Sequence, residues 1–529
     1  MSKPASVRRA RLAVASAVAM FILQACGGGG SGDGDNPSSG GSASGASSSY
    51  AQQCSANNLQ AAANLRTASL TTEKNWVRAY MDEAYLWRDE VPNVNASAAQ
   101  FSGNDVGEAL NAYFTALLTP AVTSSGKYKD QFSFVMPTRE WNDLSDSGIE
   151  LGYGVEWHLG SATPPRKIRV AYVEPNSPAA LAGVQRGDTL VTADGTGADD
   201  STSAGVDVLN EALFPSRASV NHSFTLTPNG GGTRTVSLTA GSVTKTPVLK
   251  RQVLTAADGA KVGYMVFNDH VATAEAQLIA AVEDFKTQNV SDLVLDIRYN
   301  GGGYLYIASE LAYMIAGAGP TSGKVFEQLR YNSRRTADTN SSDSRTPFYD
   351  TSCLLSGGKC TNEKPLPTLN LKRVYVLAQE GTCSASEAII NGLRGVDVQV
   401  VLIGGTTCGK PYGFTGKDNC GYSYFPIEFV GTNNKGFGDY ADGFVAAGAG
   451  ATGVPGCSMT DDYSRQLGDP AESMLAAALQ YRANGSCPAK PVSASPGRAS
   501  VQQAGASDSV ALSLKRLAAR SNRIAGGRP

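Results

Sequence analysis

The residues best suited to chemistry are two serines at the junction between a predicted strand and a predicted helix. In VLAQEGTCSASEAIINGLRG (376–395), a strand ends, a turn follows, and Ser384 and Ser386 lie at the start of a helix. Either serine can cap that helix by accepting a hydrogen bond from one of its first N–H groups. Alternatively, a serine here can act as a nucleophile, because the partial positive charge of a helix N-terminus stabilises a developing oxyanion. That chemistry also requires a base that accepts the hydroxyl proton.

Three adjacent glycines, Gly301 to Gly303, form a second junction of the same kind. They follow the apolar run DLVLDI (292–297), which predicts a buried strand, and they precede a predicted helix. Glycines allow the backbone to approach a ligand closely and to present several N–H groups to an anion. A phosphate-binding loop is the alternative interpretation. However, no Gly-Lys-Ser or Gly-Lys-Thr follows, and the spacing of a dinucleotide-binding motif is absent.

Few residues are available as a histidine base or as metal ligands. The sequence has three histidines, His158, His222 and His270, and no two lie within helical or strand reach of each other. A zinc site built from histidines is therefore not expected. His270 follows the predicted strand VGYMVF (262–267) and is a candidate base for a serine. A formal net charge of −2 gives the chain no basic footprint for nucleic acid.

The elements that must position these residues change in character along the 529-residue chain. Residues 57–118 have the apolar spacing of amphipathic helices, residues 148–245 are short β-rich runs, and residues 250–487 alternate strands and helices, so the predicted fold class is multidomain α/β. The predicted segments are a signal peptide (1–25), a flexible Gly/Ser tether (26–52), a helical N-terminal domain (53–145), a small β domain with a helix (146–248), an α/β domain (249–487) and a disordered basic tail (488–529).

The first 26 residues have the pattern of an export signal. Three arginines within residues 8–11 precede an apolar segment at 12–22, which is too short to span a bilayer as a permanent helix. The following Leu-Gln-Ala-Cys resembles the lipobox of bacterial lipoproteins, which implies lipidation of Cys26. An ordinary secretory signal with a chance cysteine is the alternative. We expect a protein of the bacterial cell envelope, lipid-anchored to a membrane and facing the periplasm or the exterior.

Eight further cysteines are expected to form disulfides, since an even number in an exported chain is typical of an oxidising compartment. Cys353–Cys360 and Cys408–Cys420 are the expected local pairs, and a free thiol at Cys383 stays open as an alternative. A nucleophilic role for Cys383 is less favoured, because disulfide pairing competes with it. The eight are Cys54, Cys353, Cys360, Cys383, Cys408, Cys420, Cys457 and Cys487.

The β-rich segment resembles a PDZ domain of the circularly permuted bacterial type. The motif that carries the resemblance lies in NSPAALAGVQRGDTLVTADG (176–195). The resemblance implies a carboxylate-binding loop formed by Leu151, Gly152, Tyr153, Gly154 and Val155. Its backbone N–H groups would receive the terminal carboxylate of a peptide, and the peptide would add a strand to the sheet edge. A β domain that only packs against its neighbours is the alternative.

The serine junction and the segment VLIGGTTCGK (401–410) together resemble the catalytic core of the carboxyl-terminal processing peptidases, also called tail-specific proteases. The family has a turn close to Gly-Ser-Ala-Ser-Ala-Ser-Glu, which corresponds here to residues 381–387, and a lysine farther along. The resemblance implies that Ser384 is the nucleophile and Lys410 is the base. An exposed lysine is charged at neutral pH, so Lys410 is expected to be buried beside Ser384, where desolvation lowers its pKa.

The same resemblance implies the oxyanion hole and the fold. LVLDIRYNGGG (293–303) is similar to the family's Leu-Asp-Leu-Arg-x-Asn-Pro-Gly-Gly segment, which places the N–H of Gly302, together with that of Ala385, at the oxyanion, with Gly303 as a further candidate. The likeness covers residues 70–485. It implies a helical N-terminal domain, a PDZ-like domain and a crotonase/ClpP-like α/β catalytic domain, with no metal or organic cofactor.

Several positions depart from the family pattern. Thr-Cys at 382–383 replaces the commoner Ser-Ala before the nucleophile, and Gly301 replaces a proline. Phe414 stands where some family members have a glutamine that orients the lysine. The third member of any catalytic triad therefore stays open, with Gln379 and Glu387 as the nearest polar candidates.

These features predict an exported serine endopeptidase whose protein or peptide substrates are bound by a C-terminus or an unfolded segment. A catalytically degenerate, peptide-binding envelope scaffold is the alternative. An acyl-group enzyme on a crotonase-like fold would need a nucleotide-cofactor pocket, which has no support in the sequence. The tail contains VALSLKRLAAR (510–520), which can form a cationic amphipathic helix that binds an acidic surface, although a solvated tail is the simpler expectation.

Overall fold

The computed structural model describes residues 46–356, 359–361, 363–489 and the two-residue strand Arg523–Ile524. The described residues belong to a compact unit that begins at Ser44. The predicted signal peptide, the lipidation site Cys26, most of the tether and most of the basic tail lie outside the described residues. Within the described ranges, no helix combines the length and the apolar character needed to cross a membrane.

A six-stranded sheet forms the centre of the α/β part of the chain. Its first two strands are antiparallel, and the later neighbours are parallel. In spatial order the strands are Val248–Thr255, Lys261–Phe267, Asp292–Asp296, Arg373–Ala378, Gln399–Gly404 and Gly456–Ser458. The glycines, the serines and the candidate lysine follow the third, fourth and fifth of these strands. Because the carboxyl ends of parallel strands meet at one edge, the sheet brings these three segments together.

Helices cover both faces of this sheet. Its inner strands are buried at nearly every residue, so each face needs an apolar cover. Leu311 and Ile389 belong to the core on one face, and Met474 and Leu475 belong to the core on the other. The covering helices are Ala274–Thr287, Leu305–Ala316 and Ala385–Gly395 on the first face and Ser473–Asn484 on the second.

The segment predicted to be β-rich forms its own antiparallel sheet with a separate core. The helix Ser203–Leu213 buries Val206 and Leu209 in this core. The sequence analysis did not predict this helix, because a glycine at 205 and several turn-forming residues precede its apolar positions. The strands are Val155–His158, Arg169–Val173, Thr189–Ala193, Thr196–Gly197, Asn221–Thr227 and Arg234–Thr239, with the short helix Pro178–Leu181 and a two-stranded ribbon of Ile149–Gly152 and Gly241–Thr244.

The predicted N-terminal helices are present but do not have a core of their own. Leu70–Ala84 and Val106–Ala116 are capped by Ser69 and Asp105, whose side chains accept hydrogen bonds from backbone N–H groups. Their buried faces share one core with residues from the far end of the chain, including Phe414. The other members of this region are the helix Thr138–Ser147, the three strands Phe134–Pro137, Tyr422–Phe425 and Lys417–Asn419, and a four-stranded sheet of Arg345–Pro347, Val325–Tyr331, Phe429–Thr432 and Tyr412–Gly413.

The end of the predicted tether is held against the helical region. Ser47 donates hydrogen bonds from its N–H and its Oγ to the two carboxylate oxygens of Glu83, at 2.7 and 2.6 Å. Shortly after, Cys54 forms a disulfide with Cys420. The chain is therefore anchored before residue 52, which is earlier than the sequence analysis expects.

The remaining elements are short. Gly303–Tyr304 pairs in parallel with Arg523–Ile524, the one strand described in the predicted tail. Leu355–Ser356 pairs with Lys359–Cys360, and Val445–Ala446 pairs with Gly453–Val454. The short helices are Ala318–Thr321 and Thr336–Asn340, and the 3₁₀ turns are Ser47–Ser49, Ala63–Leu65, Arg88–Glu90, Ala99–Phe101 and Ser342–Ser344.

Candidate active site

Ser384 occupies a strained backbone position at the start of the Ala385–Gly395 helix. Its φ is 62° and its ψ is −117°, a region that residues other than glycine rarely adopt. Its side chain is fully buried, and its Oγ has no hydrogen-bond partner in the described part of the chain. A buried hydroxyl without a partner is uncommon, as is stored backbone strain, and both are typical of functional positions. Ser384 therefore fits a nucleophile better than a simple helix cap.

Lys410 lies in an apolar pocket of the same region. Its side chain is fully buried, as expected of a lysine base. The Nζ atom lies 5.1 Å from the ring centre of Phe132 and 4.6 Å from that of Phe414. Burial lowers the pKa of Lys410 to about 7, although the nearby Asp130 and Glu387 act in the opposite direction. A large fraction of Lys410 is therefore uncharged near neutral pH and able to accept a proton.

Phe414 replaces the expected glutamine with an apolar contact. It cannot orient Lys410 by a hydrogen bond, but its ring, fully buried, forms part of the wall around the amine. An aromatic face attracts the ammonium form, and the exclusion of water favours the neutral form. Since the pKa of Lys410 is lowered, the exclusion of water is the larger effect.

Glu387 connects the segment of the nucleophile to the segment of the base. Its Oε2 accepts hydrogen bonds from the backbone N–H groups of Ser384, at 3.0 Å, and Lys410, at 2.8 Å. Its Oε1 accepts from the N–H of Gly409 and the hydroxyl of Thr407, at 2.9 and 2.5 Å. Burial raises the pKa of Glu387, and these hydrogen bonds favour its charged form. Glu387 is a positioning residue, because its described hydrogen bonds go to backbone and to Thr407 rather than to the reactive atoms.

Gln379, the other candidate for a third catalytic residue, is directed elsewhere. Its Nε2 donates to the carbonyl oxygen of Met459 at 3.3 Å and lies 3.4 Å from the sulfur of Met474. The structure therefore brings Glu387, but not Gln379, to Ser384 and Lys410.

A disulfide joins the same two segments. Cys383, which precedes Ser384, is bonded to Cys408, two residues before Lys410. This pairing corrects two expectations, because Cys383 is not a free thiol and Cys408 does not pair with Cys420. Cys420 instead pairs with Cys54, whereas the expected Cys353–Cys360 pair is confirmed and Cys457–Cys487 is the fourth disulfide. The wrong pair was predicted from short spacing in the sequence. In the folded chain, Cys408 and Cys420 each lie closer to a more distant cysteine than to each other.

The two predicted oxyanion donors are placed differently. The N–H of Ala385 is at the first position of its helix, where intrahelical acceptors are lacking, and it directly follows Ser384. The N–H of Gly302 donates to Oδ1 of Asn300 at 3.0 Å in this conformation. Gly302 can serve an oxyanion only after that hydrogen bond is released or shared. Gly303 cannot be replaced without strain, because its φ is 135° and an added Cβ would lie 2.4 Å from the carbonyl oxygen of His270.

His270 supports the glycines and is poorly suited to be the base. Its Nδ1 lies 3.0 Å from Oδ1 of Asn300, and its backbone binds both sides of the glycine segment through Gly302 and Tyr304. Complete burial lowers the pKa of His270 to about 3. A base with so low a pKa accepts a proton from a hydroxyl far less readily than Lys410 does. Asn300, which the sequence analysis did not single out, holds His270 and Gly302 together; it was visible only as part of the matched glycine motif.

Cys383, Glu387 and Cys408 are also the group of residues closest to a metal-binding arrangement among the described residues. Their potential ligand atoms lie within 4.8 Å of one another. Zinc and similar ions bind thiolates, and both sulfurs are consumed by the disulfide. In this state the cluster is a covalent connection and not a metal site.

The predicted carboxylate-binding loop lines a groove in the β-rich region. The loop meets the end of the Ser203–Leu213 helix at Leu213 and Phe214. The adjacent strand Val155–His158 pairs on one side with Arg169–Val173 and has no second strand partner among the described residues. The residues of the loop in this groove are Leu151, Gly152, Tyr153, Gly154 and Val155. An open strand edge beside a helix is able to accept an extended peptide.

Arg186 connects this β-rich region to the central sheet. Its guanidinium contacts Asp461 at 2.5 Å and lies over the ring of Tyr463, with 4.8 Å between the guanidinium carbon and the ring centre. Asp461 also binds Arg298, which precedes the glycine segment, at 2.6 Å. Arg186 and Arg298 hold the pKa of Asp461 down at about 2 despite its burial. The β-rich region and the edge of the sheet that carries the glycine segment are thus joined through a buried charge network.

Comparisons with known proteins agree with this site. The family model described as Peptidase family S41 matches residues 261–416, and the model described as Peptidase S41 N-terminal domain matches residues 72–134. A carboxyl-terminal-processing protease of Picosynechococcus sp. is 28% identical over 188 residues, which cover 35% of this chain and 43% of that protein. The chloroplastic C-terminal processing peptidase of Tetradesmus obliquus is 29% identical over 259 residues, which cover 47% of this chain and 49% of that protein. The chain thus spans about half the length of these relatives, or less.

The fold is also similar to that of a solved protein. A crystal structure from Bacteroides fragilis NCTC 9343, assigned to the S41 proteases, gives a TM-score of 0.55 at 22% sequence identity and covers 78% of this chain and 97% of that chain. The family match contains the glycine segment, Ser384 and Lys410 within one continuous range. The sequence matches and the shared fold agree with the grouping of these residues at one sheet edge: residues 261–416 match peptidase family S41, and residues 72–134 match its N-terminal domain.

Proposed function

We propose that the protein is a serine endopeptidase in which Ser384 is the nucleophile and Lys410 is the general base. The observation that carries the proposal is the fully buried amine of Lys410, whose pKa is lowered to about 7 and whose backbone shares an acceptor with that of Ser384. The structure provides a buried amine with a lowered pKa and, at the same edge of the sheet, a hydroxyl without a hydrogen-bond partner, and serine–lysine catalysis requires these two groups.

The geometry supports a mechanism in two steps. Lys410 accepts the proton of Ser384 while Oγ attacks the scissile carbonyl, and the ammonium then returns a proton to the leaving amine. The N–H of Ala385 stabilises the oxyanion, and that of Gly302 joins it once its hydrogen bond to Asn300 is released. Water then hydrolyses the acyl-enzyme with Lys410 again acting as base. Because Ser384 is fully buried in this conformation, productive binding includes a step that opens the site.

The substrates that fit this arrangement are proteins or peptides with a free C-terminus or an unfolded segment. The PDZ-like region provides an open strand edge next to its loop, Leu151–Val155, and Arg186 of the same region binds Asp461 beside the central sheet. The names of the relatives, which describe carboxyl-terminal processing, point to the same substrate class. The signal and lipobox pattern at Cys26 supports a location in the bacterial cell envelope.

Labelling with a fluorophosphonate tests the nucleophile directly. We expect one covalent adduct per chain, located on Ser384 by peptide mapping, together with cleavage of an unstructured protein such as casein. Ser384→Ala should lose both, and Lys410→Met should lose about 10²–10⁴-fold in cleavage rate, as expected for removal of a general base. Ser386→Ala is the matched control, because the Ser386 hydroxyl donates to the carbonyl oxygen of Asn300 and has no role in the mechanism; it should retain labelling.

A peptide-binding scaffold without catalysis is the second candidate function. It is favoured by the hydrogen bond that occupies the N–H of Gly302 and by the absence of a polar group at Phe414. Equal, background-level cleavage by the wild-type protein and Ser384→Ala, combined with retained binding of C-terminal peptides, would establish the scaffold and exclude the peptidase.

A further inference from the structure

We propose that the Cys383–Cys408 disulfide positions the catalytic pair, and that its reduction switches the peptidase off. The inference rests on the proposed function of Ser384 and Lys410 and adds a form of regulation to the same site. It assigns to two cysteines a role that concerns the rate of the chemical step and not only the stability of the fold.

The disulfide connects the two chemically important turns directly. Cys383 is covalently adjacent to Ser384, and Cys408 is two residues from Lys410, with 5.2 Å between the Cα atoms of the two cysteines. Each turn follows a different strand of the parallel sheet, Arg373–Ala378 or Gln399–Gly404. The bond therefore fixes the separation of two segments that are neighbours in space but lie 25 positions apart in the sequence.

The other connections between these turns are noncovalent. The N–H of Cys408 donates to the carbonyl oxygen of Thr382 at 3.0 Å, and the Glu387 carboxylate binds N–H groups on both sides. Ser384 is held in a strained conformation, which persists only when its surroundings restrict it strongly. Removing the one covalent connection lets this turn relax, and a displacement of about 1 Å between reacting groups is enough to cost about 10²-fold in rate.

The other three disulfides lie away from this pair of turns. Cys353–Cys360 closes a short loop, Cys54–Cys420 ties the start of the described chain to a turn between two strands, and Cys457–Cys487 ties the end of the Ser473–Asn484 helix to the sheet. They stabilise elements without linking the nucleophile to the base. Cys353–Cys360 thus provides a matched control for the loss of a disulfide as such.

The two sulfurs differ in their accessibility, which sets the course of reduction. Cys383 is 1% exposed, whereas Cys408 is only partly buried. The thiolate of a dithiol reductant attacks Sγ of Cys408, forms a mixed disulfide there, and expels Cys383, which takes up a proton. The second thiol of the reductant then closes its own ring and releases Cys408 as a thiol. Two electrons pass from the dithiol to the protein, and oxidised glutathione reverses the change while becoming two molecules of reduced glutathione.

The test uses the full-length protein before and after treatment with dithiothreitol, with alkylation and mass spectrometry to show which cysteines are reduced. We expect reduction of the Cys383–Cys408 bond to lower kcat about tenfold or more with little change in KM, and to slow fluorophosphonate labelling of Ser384 to the same extent. Reoxidation should restore both. The double variant C383A/C408A should have the low kcat permanently and should no longer respond to the reductant, whereas C353A/C360A should keep both full activity and the response.

Two results would overturn the inference. The first is an unchanged kcat in protein whose Cys383 and Cys408 are shown to be alkylated. The second is a C383A/C408A variant that has wild-type kcat and differs only in melting temperature, which would make the bond merely structural. If the oxidised wild-type protein neither labels at Ser384 nor exceeds Ser384→Ala in cleavage, the proposed function itself fails and the inference falls with it. The oxidised sample therefore separates the two kinds of failure.

Discussion

At the scale of single residues, the site depends on how strongly the protein excludes water from one amine. The rings of Phe132 and Phe414 lie against Nζ of Lys410, and an aromatic ring solvates a full charge less well than water does. Burial lowers the pKa of Lys410, and the neighbouring carboxylates of Asp130 and Glu387 oppose this change, so that the pKa is lowered only to about 7. This value suits a base that must release its proton again in the next step.

The pH dependence of the activity follows from this pKa. Lys410 is active when uncharged, so kcat/KM should rise with pH and reach half of its maximum near pH 7. Below that pH the amine is protonated and activity is lost. The check is a pH–rate profile with an unstructured substrate, corrected for the stability of the protein at each pH. A profile that rises only near pH 10 would mean that Lys410 is solvated, and one that rises near pH 3 would point to His270.

Glu387→Gln should lower the rate without changing substrate affinity. Its carboxylate accepts hydrogen bonds from three N–H groups, those of Ser384, Gly409 and Lys410, and from the Thr407 hydroxyl. An amide offers one acceptor oxygen in place of two, so about two of these donors would lose their partner, at a cost of about 1–3 kcal/mol each. We expect kcat to fall about 10- to 100-fold with KM nearly unchanged. The exposed Glu380→Gln is the control and should behave as the wild type.

At the scale of elements, the buried strands and their helices could be predicted closely. The apolar run at 292–297 forms Asp292–Asp296, and the helix expected at 273–287 spans Ala274–Thr287, because long apolar runs and helical spacing have few alternative structures. The Ser203–Leu213 helix was missed because turn-forming residues and a glycine conceal its start. The sharing of one core by the first helices and the strand Tyr422–Phe425 could not be predicted, since no local pattern reports which distant face an apolar stripe meets.

In the site, too, local sequence patterns predict some features, whereas others depend on contacts between distant segments. Motif order predicted Ser384 as nucleophile and Lys410 as base, and the fold brings their two segments to one edge of the sheet; the two roles stay a prediction. The pairing of Cys383 with Cys408 and the hydrogen bond from Gly302 to Asn300 depend on how adjacent strands are brought together in space. Such contacts are properties of the folded sheet edge, and no spacing in the sequence specifies them.

Gly303→Ala should disable the glycine segment. A methyl group at this position would lie 2.4 Å from the carbonyl oxygen of His270, and the φ of 135° is unfavourable for alanine. We expect a loss of about 2–4 kcal/mol in the free energy of unfolding and a large loss of labelling at Ser384, since the neighbouring Gly302 moves as well. Denaturant unfolding and fluorophosphonate labelling measure the two effects. Gly319→Ala, where an added methyl meets no atom within 4 Å, should change neither.

At the scale of the whole molecule, a buried charge network joins the β-rich region to the central sheet. Arg186 reaches from the β-rich region to Asp461, which also binds Arg298 at the start of the glycine segment. Burial of several charges at a contact between two cores fixes their relative position, because a displaced partner leaves a charge unpaired. The β-rich region and the central sheet therefore share one buried ionic connection.

Arg186→Ala should destabilise this connection. Asp461 would keep Arg298 but lose its second partner, and we expect a loss of about 3–5 kcal/mol in the free energy of unfolding. Because the pKa of Asp461 lies at about 2, below its ordinary value, its contribution to stability is present above pH 4 and disappears as the pH falls through about 2. Urea unfolding at pH 7 and pH 3 checks both statements. Arg186→Lys keeps the positive charge and should lose less of the free energy of unfolding than Arg186→Ala. An equal loss in both variants would refute the argument that the charge stabilises this contact.

The Cys54–Cys420 disulfide makes a covalent ring of most of the protein, because 366 positions separate the two cysteines. Ser384 and Lys410 both lie inside that ring. A single cut in an exposed loop between residues 54 and 420 therefore leaves two pieces that travel together on a gel until a thiol is added. No shortened chain that stops before residue 420 can contain this bond, so the ring is closed only after residue 420 has been made.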